Sequence, residues 1–264
     1  MSVMSSESAG QPAIVFPMGG KGERMGALEV SSKALVVLPK VNMTLLEYSV
    51  RTWDVDFERL VLLVPPQYDE IERDISKLEH LPCQEKIRYS PDPFHKCGRT
   101  KALAGAIENR SIANDGFFVV HNPDDVLINY EGSFAADVVR RHRENVANGC
   151  RATVVTTDST VHTFTGFRIS GDRVTAIEHN PVCDTKAHIG ITVFEPELAG
   201  EIVAAAREES SSEFEKDLFG RLASESRLGY FLLPRACWIA VNTPKDLSLF
   251  EKQYRAPPWA SNGP

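Results

Sequence analysis

Short apolar runs alternate with amphipathic segments through the first half of the chain. A short apolar run bounded by glycine or proline predicts a buried strand, and apolar residues at helical spacing predict a helix. The predicted strands span 13–18, 60–64, 86–89 and 117–120, and the predicted helices span 45–50, 68–78 and 100–107. This alternation predicts parallel strands joined by right-handed crossovers, with helices on both faces of one sheet.

The second half has strands in closer succession. A helix at 133–146 precedes strand-like pieces at 152–156, 163–169, 173–178 and 189–194, which are followed by helices at 196–207 and 213–224, a strand at 230–233 and a last helix from Pro244. Ser170-Gly171-Asp172 is typical of a hairpin turn between two of these strands. We expect the second half to extend the same sheet. Residues 13–254 would then form one domain, with a disordered tail at 1–12 and a loop-like tail at 255–264.

Composition narrows the class of protein. The chain has 264 residues, 42% of them hydrophobic and 25% charged, with a net charge of −7, so a global nucleic-acid footprint is not expected. Five cysteines with no Cys-x-x-Cys argue against a disulfide framework or a structural zinc site and for a reducing cytoplasm. No run approaches the roughly 20 apolar residues of a membrane span, and the first residues lack a signal-peptide core. We therefore expect a soluble cytoplasmic protein that binds neither nucleic acid nor membrane.

A glycine-rich loop follows the first predicted strand. Gly19, Gly20 and Gly22 let the backbone turn and bring its N–H groups close to an anion. Arg24 and Lys33 would add positive charge to the same phosphates. The loop lacks both the Walker ending and the dinucleotide spacing, so it predicts a triphosphate cradle of another kind. The alternative is a plain turn between strand and helix with charges on its surface.

An acidic turn, Asn122-Pro123-Asp124-Asp125-Val126, follows the strand at 117–120. Carboxylates at the carboxyl end of a strand, near a phosphate cradle, supply the hard oxygens that Mg²⁺ requires. The alternative is an Asx turn, in which the aspartate only caps the next segment. If the strands at 13–18 and 117–120 are neighbours, both loops face one crevice.

Several segments in order resemble the sugar-phosphate nucleotidyltransferases, enzymes that join an NTP to a sugar 1-phosphate and release pyrophosphate. The matching segments are 13–25 with Lys33, 97–103, 122–127, 174–181, 188–194, 214–217 and 238–247. The resemblance implies an α/β fold, a Rossmann-like three-layer sandwich with a mixed, mainly parallel central sheet of the GT-A-like type. It also implies an NTP-binding half at about 13–130 and an acceptor-binding half at about 131–254.

The resemblance also assigns roles to individual positions. The implied nucleotide-binding residues are Gly19, Gly20, Lys21, Gly22, Gly98 and Thr100, and the implied catalytic residues are Arg24 and Lys33. The implied acceptor-binding residues are Gly166, Glu178, His179, His188 and Gly190. The implied Mg²⁺ ligands are Asp125 and Asn242, with Asp124 as the alternative to Asp125. The reaction would be a direct in-line attack on the α-phosphorus, catalysed by positioning and charge stabilisation.

The sequence departs from the family pattern mainly on the acceptor side. His179 stands where the family has Lys, His188 where it has Asn, and Ala240 where it has Asp. Ser32 replaces a proline before Lys33, which we expect to loosen that segment, and 92–96 replaces the Gln that often precedes the base segment. The nucleotide half therefore matches the family pattern more closely than the acceptor half does.

A basic cluster, His95, Lys96, Arg99 and Lys101, lies near Gly98. It either binds phosphate or acceptor, or is a solvated junction between loop and helix. The sequence leaves the oligomeric state open, including a homo-oligomer.

We therefore expect a Mg²⁺-dependent nucleotidyltransferase whose partners are an NTP and a phosphorylated small molecule, first of all a sugar 1-phosphate. One alternative acceptor is a phosphorylated non-sugar alcohol or a phosphonate. The other alternative is a catalytically inactive homologue that binds a nucleotide sugar and regulates a partner, which Ala240 and His179 would favour.

Overall fold

The computed structural model describes residues 11–19, 25, 30–112, 116–161, 165–208 and 213–259. The strands are β1 (Ala13–Pro17), β2 (Val37–Leu38), β3 (Met43–Thr44), β4 (Arg59–Val64), β5 (Ile87–Pro91), β6 (Phe118–His121), β7 (Asp125–Leu127), β8 (Ala152–Thr157), β9 (Thr160–Val161), β10 (Thr165–Ser170), β11 (Arg173–His179), β12 (Val182–Cys183), β13 (His188–Phe194), β14 (Leu228–Leu233) and β15 (Trp238–Ala240). The helices are α1 (Leu45–Thr52), α2 (Asp69–Ile75), α3 (Arg99–Glu108), α4 (Phe134–Ala147), α5 (Ala199–Ala206), α6 (Phe214–Asp217), α7 (Phe219–Ser224) and α8 (Pro244–Gln253). Short 3₁₀ turns lie at Lys33–Leu35, Gln84–Lys86, Pro196–Leu198 and Arg235–Cys237.

A seven-stranded sheet in the order β14-β8-β13-β6-β1-β4-β5 forms the centre of the molecule. β13 runs antiparallel to both β6 and β8, and the other neighbouring pairs of this sheet are parallel. The second half of the chain supplies β8, β13 and β14, so it extends the sheet of the first half as predicted. The sheet is therefore mixed and mainly parallel, which confirms the predicted fold class.

The core lies on both faces of this sheet, because side chains of a strand point alternately to its two faces. On β1, Ile14 and Phe16 pack in one buried cluster, and Ala13 and Val15 pack in the other. Helices α1, α2 and α4 cover the first face, and α3 and α5 cover the second. The result is the predicted three-layer sandwich.

The predicted helices and strands are confirmed, with differences at some ends. The helix expected at 213–224 is divided into α6 and α7, because Leu218 has φ −124° and ψ −44°, outside helical geometry. The pairs β2–β3 and β7–β15 have no counterpart in the sequence prediction, because each strand has at most three residues. None of the helices in the described part of the chain is long and apolar enough to cross a lipid bilayer.

Part of the expected C-terminal tail packs on the domain. The backbone N–H groups of Asn129 and Phe134 donate to the carbonyls of Ala256 and Pro258, at 2.8 and 3.0 Å. The indole of Trp259 lies 5.1 Å from the ring of Tyr48, centroid to centroid. Residues 255–259 therefore have no regular secondary structure but are held by the body of the protein.

Strands β10 and β11 form an antiparallel hairpin separate from the central sheet, with its turn at Ser170–Arg173. Gly171 has φ +56°, which suits glycine at such a turn. The predicted hairpin is thus confirmed. Its large apolar side chains are exposed, and Ile169 retains 70% of its surface.

Candidate active site

A cleft of about 810 Å³ opens at the carboxyl ends of β1, β4, β5 and β6. Because β1 and β6 are parallel neighbours, Gly19 after one strand and Asp124 after the other both line this cleft. The start of the glycine-rich loop and the acidic turn therefore face one crevice, as predicted, and residues 20–24 lie outside the described residues. Other polar or charged residues of its wall are Lys33, Asp92, His95, Lys96, Arg99, Asn122, Glu213 and Asn242.

Ser32 fixes the position of Lys33. Its hydroxyl donates to the carbonyl of Met18 at 2.8 Å and accepts from the N–H of Ala34 at 3.3 Å. The side chain is buried, so these hydrogen bonds are shielded from water. Ser32 therefore ties the 3₁₀ turn that carries Lys33 to the end of β1, rather than loosening it.

The ammonium of Lys33 lies between two oxygens that come from distant parts of the chain. It donates to Oδ2 of Asp124 at 2.5 Å and to Oδ1 of Asn242 at 2.8 Å. The Lys33 side chain keeps only 15% of its exposure. These three sequence-predicted residues therefore form one charged cluster at the wall of the cleft, in which a cation is held by a carboxylate and an amide oxygen.

The loop of Asn242 is fixed by its own hydrogen bonds. Oδ2 of Asp246 accepts from the backbone N–H groups of Asn242 and Thr243 at 2.9 and 2.8 Å, and from the Thr243 hydroxyl at 2.9 Å. Thr243 is the N-cap of α8, so this is a capping box. The N–H of Val241 donates to the carbonyl of Asp124 at 2.8 Å, which joins the two loops directly.

Asp125 has a different environment from Asp124. Its carboxylate is buried and accepts from the indole N–H of Trp238 at 2.9 Å and the amide of Asn122 at 3.3 Å. Burial, and then the neighbouring Asp124 carboxylate, raises the pKa of Asp125. The structure thus brings Asp124, the alternative from the sequence, to Lys33 and Asn242, while Asp125 lies beneath the turn and away from the cleft.

The structure describes some of the residues that the sequence assigns to nucleotide binding. Gly20, Lys21, Gly22 and Arg24 lie outside the described residues. Gly98 lines the cleft as the N-cap of α3, with φ +84°. Thr100 is buried, and its hydroxyl donates to Oδ2 of Asp217 at 2.8 Å. Thr100 therefore holds α3 against α6 and does not line the cleft.

The predicted acceptor residues are not gathered at the cleft. Gly166, Glu178 and His179 lie on the β10–β11 hairpin, where Gly166 pairs with Glu178 across the ladder. Glu178 forms an ion pair with Arg168, and Nδ1 of His179 lies 3.3 Å from the hydroxyl of Thr165. None of the three lines the cleft.

His188 and Gly190 lie on β13, behind the acidic turn. The ring of His188 is close to the Thr192 hydroxyl at 3.0 Å, and burial lowers the pKa of His188 to about 4. A Cβ at Gly190 would overlap the carboxylate of Asp125 and the amide of Asn122. Gly190 is therefore a packing position that lets the acidic turn approach β13.

A cluster around Arg99 was missed by the sequence reasoning, which noted the arginine but not its partners. Nε of Arg99 donates to Glu213 at 2.7 Å, and its Nη2 lies 2.8 Å from a carboxylate oxygen of Glu215. The guanidinium carbon is 5.0 Å from the ring centre of Phe214. Arg99 and Glu213 both line the cleft, so its wall also carries a guanidinium paired with a carboxylate. Glu213 lies 114 positions from Arg99, and no local pattern marks that contact.

The described residues contain no group of three or more His, Cys, Asp or Glu side chains arranged to hold a metal. A magnesium site needs fewer protein ligands, since phosphate and water supply the others. Asp124 and Asn242 provide two hard oxygens that already hold a cationic group, the Lys33 ammonium. The donor set therefore fits Mg²⁺ bound together with a phosphate.

No known protein-family profile matches the sequence, and no curated protein matches it. Solved structures do resemble the fold. A UDP-glucose pyrophosphorylase complexed with UDP-glucose superposes with a TM-score of 0.64 at 14% identity, over 92% of this chain and 99% of that one. A putative glucose-1-phosphate thymidylyltransferase from Bacillus anthracis, in complex with a sucrose, superposes with a TM-score of 0.64 at 19% identity, over 90% of this chain and 92% of that one. The chain therefore has the GT-A-like fold of these nucleotidyltransferases.

Proposed function

We propose that this protein is a nucleotidyltransferase that joins an NTP to a phosphorylated acceptor, a sugar 1-phosphate, and releases pyrophosphate. The observation that carries the proposal is the placement of Lys33 between Asp124 and Asn242 at the wall of a cleft at the strand ends. A partly buried, oriented cation beside a carboxylate is suited to a polyphosphate. The fold shared with two sugar nucleotidyltransferases supports the same class of reaction.

Asp124 and Asn242 would hold a Mg²⁺ ion, so Asp124 replaces Asp125 as our first choice of ligand. When bound, Mg²⁺ would neutralise charge on the phosphates as pyrophosphate leaves. Because the oxygens of Asp124 and Asn242 would then bind the metal, the Lys33 ammonium would be free to donate to the α-phosphate. Lys33 would then stabilise the charge that develops there during attack.

The remaining roles follow from position in the cleft. Gly19 and Gly98 both line the cleft, and by the resemblance Gly19 would contact the triphosphate and Gly98 the base. Arg24 would share the charge of the departing pyrophosphate, a role that rests on the sequence because Arg24 is outside the described residues. The acceptor's phosphate oxygen would attack the α-phosphorus in line, and no covalent intermediate with the protein is needed.

A second candidate differs only in the acceptor, which would be a phosphorylated non-sugar alcohol or a phosphonate. The observation that favours it is the position of Glu178, which the resemblance assigns to the sugar phosphate. Glu178 lies outside the cleft and pairs with Arg168 on the hairpin. The cleft wall instead presents Arg99 paired with Glu213, so the acceptor would be recognised by a different set of groups.

Pyrophosphate release tests the proposal. The purified protein is given Mg²⁺, each NTP and a panel of sugar 1-phosphates, phospho-alcohols and phosphonates. Release that depends on both an NTP and one class of acceptor identifies the reaction and separates the two candidates. A folded protein that binds nucleotide sugars but releases no pyrophosphate with any pair would instead be the inactive, regulatory homologue.

A further inference from the structure

One carboxylate of the cleft has an oxygen with no hydrogen-bond partner among the described residues. Asp92 directly follows β5, and its backbone N–H donates to the carbonyl of Val64 at 2.7 Å. Its Oδ1 atom is buried without a hydrogen-bond partner. His95 and Lys96 line the same cleft, yet neither bonds to Asp92 in the described structure. A desolvated acceptor of this kind is costly unless a donor reaches it.

The position of Asp92 suggests what that donor is. In the sheet, β5 lies three places from β6, which corresponds to roughly 14 Å at about 4.8 Å per strand. Asp124 follows β6, Gly19 follows the adjacent strand β1, and the backbone of Asp92 follows β5 at the far end, with its carboxylate reaching back toward Gly19. Oδ2 of Asp92 would lie 3.4 Å from a Cβ at Gly19. If Lys33 and Asp124 hold the phosphates, the base of the nucleotide points along this row toward Asp92 and Gly98.

We propose that Asp92 selects the nucleobase and favours a base that carries an exocyclic amino group. An ionised carboxylate can only accept hydrogen bonds. Cytosine, adenine and guanine offer an exocyclic amino group to such an acceptor. Uracil and thymine have a carbonyl oxygen where cytosine has its amino group, and their only donor at that edge is the ring N3–H between two carbonyls. CTP, ATP or GTP would therefore bind better than UTP or dTTP. The two similar solved structures have uracil or thymine in their names, so this chain would differ from them in its base.

The inference rests on the proposed nucleotide site, and its test is kept separate from the chemistry. Binding of each NTP with Mg²⁺ is measured by calorimetry at pH 8, above the raised pKa of Asp92, without any acceptor, for the wild-type protein and for Asp92→Asn. The amide can donate to a carbonyl as well as accept from an amino group. Asp172→Asn, in the exposed hairpin turn, is the matched control. Circular dichroism establishes that each variant is folded.

The wild type and the control should bind one amino-bearing NTP at least about tenfold more tightly than UTP, and Asp92→Asn should reduce that ratio to about threefold or less. The CTP, ATP and GTP arms identify which amino-bearing base is used. Tighter binding of UTP or dTTP by the wild type, an unchanged ratio in Asp92→Asn, or no NTP binding overturns the inference. If the protein releases pyrophosphate but binds all NTPs equally, the proposed function stands and the inference about Asp92 fails. If it prefers one base but releases no pyrophosphate, the inference about Asp92 stands and the proposed function fails.

Discussion

The indole N–H of Trp238 donates to the buried carboxylate of Asp125 at 2.9 Å. Trp238 is the first residue of β15, and Asp125 is the first residue of β7, to which β15 pairs. Strand β15 leads to Asn242, and β7 directly follows Asp124. Asn242 and Asp124 supply the two oxygens that accept hydrogen bonds from Lys33. The hydrogen bond therefore fixes the frame of the site without touching the cleft.

Replacing Trp238 with Phe removes this donor and leaves a buried acceptor unsatisfied. We expect the free energy of unfolding to fall by about 1–3 kcal/mol in urea titrations. Tyr230→Phe is the control, since Tyr230 is an exposed aromatic residue of β14. Equal stability of the Trp238 variant and the wild type would show that the turn does not depend on this bond.

Gly190→Ala tests the close approach of β13 to the acidic turn. The added methyl group would overlap the Asp125 and Asn122 side chains, and Gly190 has φ +71°. We expect a loss of about 1–3 kcal/mol or more in stability, as in other overpacked cores. Gly200→Ala, in α5 with open space around the added group, should be neutral or slightly stabilising. A Gly190 variant as stable as the Gly200 variant would contradict the packing described.

Lys33→Ala should lower the rate of pyrophosphate release by about 100-fold or more, because a positioned charge at the reacting phosphate is lost. Steady-state assays of pyrophosphate at saturating NTP and acceptor measure this rate. Lys77→Ala removes a surface lysine of similar size and should leave the rate unchanged. A rate for the Lys33 variant within a few-fold of that of the Lys77 variant would remove Lys33 from the mechanism.

Asp124 and Asp125 can be distinguished as metal ligands. Asp124→Asn should weaken Mn²⁺ binding, which is measured by electron paramagnetic resonance in the presence of NTP. It should also raise the Mg²⁺ concentration needed for the half-maximal rate. The reason is that a neutral amide replaces the carboxylate nearest Lys33 and Asn242. Asp125→Asn should change stability more than metal affinity. The opposite ranking would restore Asp125 as the ligand.

Asp92 should make stability depend on pH. Burial raises the pKa of Asp92 to about 7 in the folded protein, above its ordinary value of 3.8. Between these values the folded state binds more protons than the unfolded state, so Asp92 costs stability progressively as pH rises through this interval. Asp92→Asn should therefore be more stable than the wild type at pH 8, with a difference that disappears near pH 4. A pH-independent difference in urea unfolding would exclude this origin.

The sequence predicted the sheet because buried strands and amphipathic helices are local patterns. The unbroken apolar run of β1, which packs Ile14 and Phe16 on one face of the sheet and Ala13 and Val15 on the other, is one such pattern. It could not distinguish Asp124 from Asp125. Adjacent side chains at the start of a strand point in opposite directions, and only the pairing of β7 with β15 decides which one faces the cleft.

Contacts between distant segments were also beyond the sequence. The hairpin at β10–β11 follows from its turn, but its distance from the cleft depends on how the hairpin leaves the sheet. The pairing of Arg99 with Glu213 likewise joins the N-terminus of α3 to the residue before α6. The hairpin and Glu213 both come from the second half of the chain, where the sequence also departs most from the family it resembles.

The cluster at Lys33 has a consequence for the order in which the protein folds during its synthesis. Its oxygens lie 91 and 209 positions beyond the lysine. Closing such long loops costs entropy before the contact is gained. During synthesis β1, β4, β5 and β6 are complete well before the ribosome reaches Asn242. The nascent chain can therefore assemble much of its scaffold while still lacking the last oxygen donor of this cluster.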